Sequence, residues 1–276
     1  MHTPLLRLLT LPLDAWDQWG HVNDMNGVGV INAVLDEESP DLVVLNGDLI
    51  TGENQYLFNG SHYVDLIVGP LLDRNLTWAS TYGNHDSSYN LSRASILERE
   101  HLWPNSRTKQ MVFGEKSGVS NYYLPVYANN RTNCNAPPEL MLWFFDSRGG
   151  SYFQQLDEDG NQLPMEDWVD VSVVDWFVES NARITKKFNM TIPSLAFVHI
   201  PTNASQALQT EARVDPKKQP GINDDYILAQ QGQGWCADGT YDCDYGANDV
   251  PFMQALVDTP GLMAVFSGHD HGDTCT

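Results

Sequence analysis

The feature that most constrains this chain recurs along it: a short apolar run that stops abruptly at Asp, Asn or His. Asp41 to Leu45 runs into Asn46-Gly47-Asp48, and Leu76 to Thr81 into Tyr82-Gly83-Asn84-His85-Asp86. Leu140 to Phe145 meets Asp146-Ser147-Arg148, Ser194 to Val198 meets His199, and Leu262 to Phe266 meets Ser267-Gly268-His269-Asp270-His271. Runs this short and apolar on both faces suit strands buried inside a layered sheet. Between them, Val28, Ile31 and Leu35 share one helical face, as do Val174, Phe177 and Val178. Strands alternating with helices predict an α/β architecture with helices on both faces. In such a sheet, ligands bind outside the carboxyl ends of the strands, where the His, Asp and Asn residues stand here. The segments Asn105 to Pro138 and Thr202 to Asp249 are rich in Gly, Asn, Asp and Pro and read as long loops.

With 276 residues, 42% of them hydrophobic, the chain can bury a substantial core and fits one large domain or two small ones. The formal charge of −21 argues against a backbone grip on nucleic acid, which needs a basic stripe. It also repels an anionic substrate unless cations sit in the site. No apolar run reaches the length of a membrane span. The leucine-rich start, Met1 to Leu13, is broken by Pro4, Arg7 and Pro12 and is a poor signal peptide. N-x-S/T sequons at Asn59, Asn75, Asn90, Asn130, Asn189 and Asn203 nevertheless lean toward a secretory or extracellular history, the other expectation being the cytoplasm. Cys134, Cys236, Cys243 and Cys275 contain no C-x-x-C pair and suit no zinc finger. Cys236 and Cys243 either close a short disulfide or stay as thiols.

Each motif has a chemical reading. Asp48, after Gly47, is a carboxylate able to bridge two cations. In Gly83-Asn84-His85-Asp86 an amide oxygen can ligate a hard cation without adding charge. The adjacent His85 can protonate a leaving oxygen, with Asp86 orienting its ring. His199 ends a strand on its own. The pair His269 and His271 brings two rings close to one point, as neighbouring metals about 3.5–4 Å apart require.

The ordered set G-D, G-N-H-D, H, G-H-x-H resembles the calcineurin-like metallophosphoesterases. The stretches DLVVLNGDLITGE (41–53) and FVHIP (197–201) are similar to the purple-acid-phosphatase-like branch found in fungi and plants. The resemblance implies a four-layer α/β/β/α sandwich and a dinuclear centre of Fe, Zn or Mn. It also implies metal-activated hydrolysis of small phosphomonoesters. On that pattern Asp48 bridges the metals, Asn84, His199 and His269 complete the second site, and His271 belongs to the first. His85 acts on the leaving group with Asp86 behind it. The family pattern opens with a strand ending in D-x-H, and none precedes Asp48; Asp14, Asp17, His21 and Asp24 stand outside that pattern, and Pro12 disfavours a central strand before Asp14. The resemblance therefore implies a domain lacking its first strand and its C-terminal end, with a weak first metal site. The alternative expectation is an impaired or inactive member that binds metal or a phosphorylated ligand.

Overall fold

A computed structural model describes residues 21–51, 60–128, 135–210, 229–232 and 245–270. His271 and all four cysteines lie outside them, as do Asp14, Asp17, Asn59 and Asn130. The five apolar runs form strands: β1 (Leu42–Asn46) and β2 (Thr77–Thr81), then, with β3 (Tyr122–Val126) between them in sequence, β4 (Leu140–Phe145). β5 (Ser151–Leu156) and β6 (Gln162–Pro164) make a separate antiparallel hairpin, followed by β7 (Ser194–Val198) and β8 (Leu262–Phe266). β1 and β2 pair in parallel as one sheet. The other sheet has the order β3-β4-β7-β8, with β4, β7 and β8 parallel and β3 antiparallel at its edge. The helices are α1 (His21–Glu38), α2 (Val64–Asp73), α3 (Arg93–Glu100), α4 (Val171–Phe188), α5 (Asn203–Thr210) and α6 (Val250–Asp258).

Strand alternation divides the buried side chains among three cores, and these define four layers. Val43, Leu45 and Trp78 point away from the second sheet and pack with Leu35 of α1, Val68 of α2 and Ile96 of α3. Leu42, Val44 and Ala79 point the other way, onto Leu142, Phe144 and Phe197. On the far face of the second sheet, Trp143, Phe145 and Val198 meet Val173 and Phe177 of α4 and Phe252 of α6. Each fully buried Phe there contributes about 1.5–3 kcal/mol. One aromatic ring per strand forms a ladder facing the first sheet: Tyr122, Phe144, Phe197 and Phe266, with centroid spacings of 4.5, 5.1 and 5.2 Å.

Three expectations need correcting. Thr202 to Asp249 is not simply a loop, because it contains α5. Nor is Asn105 to Pro138, because it contains β3. Pro125 within that strand hid it, and an edge strand is where a proline is tolerated. Val178, assigned to the apolar face of its helix, is 48% exposed, and the buried stripe of α4 continues instead through Ser180 and Ile184.

Candidate metal centre

β1, β2, β7 and β8 deliver their polar ends to one place. Beyond β1 the backbone turns through Gly47 (φ +91°) and Asp48 (φ +51°), and beyond β8 through Gly268 and His269 (φ +75°). Left-handed backbone at Asp48 and His269 costs on the order of 1–3 kcal/mol each, and such strain gathers at functional sites. The glycines are steric requirements. A Cβ on Gly47 would stand 2.3 Å from His199 Nδ1, and one on Gly83 would stand 2.2 Å from Asp48 Oδ1. The G-D and G-N-H-D motifs therefore exist because three chain segments pass within contact of one imidazole and one carboxylate.

Asp48, His199 and His269 each offer a ligand atom, and these atoms lie within 4.8 Å of one another. The two rings stand nearly perpendicular, 5.3 Å apart. Asp48 Oδ1 accepts the backbone N–H of His85 at 2.9 Å. The Asn84 Oδ1 is buried and accepts no hydrogen bond. Asp86 is fully buried, and its carboxylate accepts the backbone N–H groups of Gly83 (2.8 Å) and Ile50 (2.9 Å), which staples the turn after β2 to the turn after β1.

The tautomer of His199 follows from geometry. Its Nδ1 lies 2.8 Å from the carbonyl oxygen of Asn46, which can only accept, so Nδ1 carries the hydrogen. In the neutral ring Nε2 is then a lone pair, and it faces Asp48 Oδ2 at 2.9 Å. Neither atom has another partner. Two lone pairs so close repel unless a positive charge, a proton or a cation, lies between them. With a proton there, burial pushes the His199 pKa down, but Asp48 outweighs it and the net shift is upward. Burial likewise pushes Asp48 up, yet the His199 contact and the His199 and His85 charges hold it at about 2. Asp86, desolvated and next to the Asp48 charge, is pushed up to about 7 against its backbone hydrogen bonds.

Sequence reasoning took Asn46 merely as the polar stop of an apolar run. Its carbonyl orients His199, its side-chain amide donates to the Val198 and Phe266 carbonyls, and its Oδ1 accepts from Thr81. One residue thus joins the ends of β1, β2, β7 and β8. The signal was an amide at the last position of a buried strand, where its polar atoms must find partners.

Residues 21–273 match the family model described as calcineurin-like phosphoesterase. The chain belongs to that family. Among its relatives, the chain is 30% identical over 251 residues to Phosphatase DCR2 of Saccharomyces cerevisiae, covering 89% of this chain and 38% of that protein. It is 24% identical over 270 residues to "Probable inactive purple acid phosphatase 29" of Arabidopsis thaliana, covering 94% and 61% respectively. The chain thus spans less than two thirds of the length of these curated relatives. Its fold is similar to that of a dimetal phosphatase from Danio rerio, with a TM-score of 0.50 at 13% identity, covering 89% of this chain and 72% of the other. The fold is that of the metallophosphoesterases, an α/β sandwich. The family implies divalent metal ions, and the donor set meets that implication on its own chemistry. A carboxylate and two imidazoles form a borderline-to-hard donor set, within which Asp48 Oδ2 and His199 Nε2 are buried without a hydrogen-bond partner.

Proposed function

We propose that this phosphoesterase hydrolyses small phosphomonoesters in a metal-dependent reaction. Asp48, Asn84, His199 and His269 would hold one ion, with Asp48 and His271 contributing to a second. The observation that carries this reading is the His199 Nε2 lone pair facing Asp48 Oδ2 at 2.9 Å. Bound divalent ions would supply Lewis acidity to the phosphoryl group and to the attacking water. The chain's own residues do the rest. The His85 N–H holds Asp48 in its strained turn, and the His85 ring donates a proton to the departing alkoxide. Asp86 keeps the turn carrying His85 in place through its backbone hydrogen bonds.

The test is turnover of a chromogenic phosphomonoester with Mn²⁺, Zn²⁺ or Fe²⁺ added. The expected result is metal-dependent hydrolysis that His85→Ala lowers by about 10²- to 10⁴-fold. Absence of turnover with every metal, while metal still binds, would favour a second reading, a member that binds a phosphorylated ligand without hydrolysing it. One observation supports that alternative: the name of the Arabidopsis relative. For a secretory history, Asn75 and Asn189 are the acceptors that fit best. Both are exposed, whereas the Asn203 amide is held by Gln230.

A further inference from the structure

Asn84 presents a puzzle. Its side-chain oxygen is buried with no hydrogen bond, so nothing attached to that oxygen sets its direction. The direction must come from the backbone around it. The turn carrying Asn84 begins at Gly83, and the loop after β4 packs on it. A Cβ on Gly149 would stand 2.9 Å from the Asn84 Cβ, and one on Gly150 would stand 2.2 Å from the Asn84 carbonyl oxygen.

One nitrogen ties these two segments together. Arg93, the first residue of α3 and 3% exposed, donates from Nη2 to the Gly83 carbonyl at 2.7 Å and to the Gly149 carbonyl at 3.0 Å. Its Nε lies 3.4 Å from Asp146 Oδ1, and Nη1 lies 3.3 Å from the Met165 sulfur. Asp146 is itself fixed, accepting the backbone N–H groups of Val119 and Arg148 at 2.8 Å each. A buried ion pair is seldom a net gain in stability over apolar residues of the same volume. Its value here is geometric, because a planar guanidinium can span two carbonyls and a carboxylate at once, as a lysine ammonium on a flexible stem cannot.

We propose that Arg93 is a positioning residue for Asn84: by clamping Gly83 to Gly149 it fixes the direction of the amide oxygen toward the metal centre. This inference rests on the metal reading above and adds the residue that makes Asn84 a competent ligand. The test is a double-mutant cycle read by calorimetric titration of the metal-free protein with Mn²⁺, with near-UV circular dichroism to confirm folding. Arg93→Lys and Asn84→Ala should each weaken Mn²⁺ binding by about 10- to 100-fold. The double variant should bind no more weakly than Asn84→Ala alone, since the Arg93 effect runs through Asn84. Multiplying losses would overturn the proposal, as would wild-type affinity in Arg93→Lys. If Arg93→Lys does not fold, Asp146→Asn, which loosens the same guanidinium, must show the same non-additivity. A wild-type protein that binds no Mn²⁺ defeats the metal reading itself, an outcome distinct from a failed cycle.

Discussion

A fully buried carboxylate, Glu100, and a half-buried one, Asp48, meet the loss of solvent in opposite ways. Glu100, at the end of α3, is fully buried and takes hydrogen bonds from Trp78 Nε1, Ser80 Oγ and Tyr82 OH. Trp78 and Ser80 lie on one face of β2 and Tyr82 follows just beyond it, so a single carboxylate grips the strand that delivers Asn84 and His85. Burial pushes the Glu100 pKa up, and the hydrogen bonds from Ser80, Tyr82 and Trp78 oppose it. Asp48 has one backbone donor on Oδ1, and a lone pair faces its Oδ2. Where the chain supplies every donor, a buried charge holds the fold together. Where it withholds one, the gap calls for a cation. The difference separates scaffold from site more sharply than burial does.

The largest expected difference between the two sites lies in their response to metal. Wild-type protein at about a thousandfold excess of Mn²⁺ over its Kd gains about 4 kcal/mol. Asp48→Asn should abolish that gain in a thermal-shift titration while lowering the metal-free midpoint by only a few degrees, because the contact with His199 is lost but Asn tolerates left-handed backbone. A metal-free Asp48→Asn that melts well below wild type would make Asp48 another Glu100. Next, Glu100→Leu leaves three donors buried without an acceptor and should lower stability by about 3 kcal/mol or more in urea unfolding. Unchanged stability would mean that the three side chains find water instead.

Gly83→Ala places a methyl group against Asp48 Oδ1 and should cost about 1–3 kcal/mol. It should also weaken Mn²⁺ binding, whereas Gly160→Ala, with nothing within 4 Å, should leave Mn²⁺ binding unchanged.

The smallest effect expected is on pH dependence. Asp86, raised to about 7, and His199, raised, contribute stability below their unfolded pKa values and lose it as pH rises through the folded ones. Asp48, at about 2, acts oppositely: its contribution is present above its ordinary 3.8 and lost as pH falls through about 2. The metal-free midpoint should therefore be highest near pH 4–5 and fall by a few degrees toward pH 8. Saturating Mn²⁺ should flatten that slope, because the cation's charge offsets that of Asp48. A metal-free midpoint rising from pH 5 to 8 would remove the electrostatic account of Asp86.

Much of this was legible in the sequence because apolar parallel strands leave a plain mark, although β8, expected to be buried, exposes Met263, Val265 and Phe266 at the end of its sheet. All five apolar runs are strands, and the Asp48, Asn84, His199 and His269 motifs stand at their carboxyl ends. What escaped depends on contacts between segments far apart in the chain. Asn46 looked like a strand stop, since its partners are 152 and 220 residues away. Arg93 sat in an unremarked S-R-A-S run, and only the fold brings Gly83 and Gly149 together around it. Strand β3 was masked by Pro125, whose tolerance depends on an edge position that sequence does not reveal.

The account stands on one claim, that the Asp48, His199, His269 and Asn84 donors are arranged around a cation. The most direct measurement is anomalous diffraction at the manganese edge from crystals grown with Mn²⁺. The account predicts a peak within coordination distance of those four side chains, with the His199 Nδ1 hydrogen bond to Asn46 retained. A well-diffracting crystal with no peak there, and His199 still closed against Asp48, would contradict it.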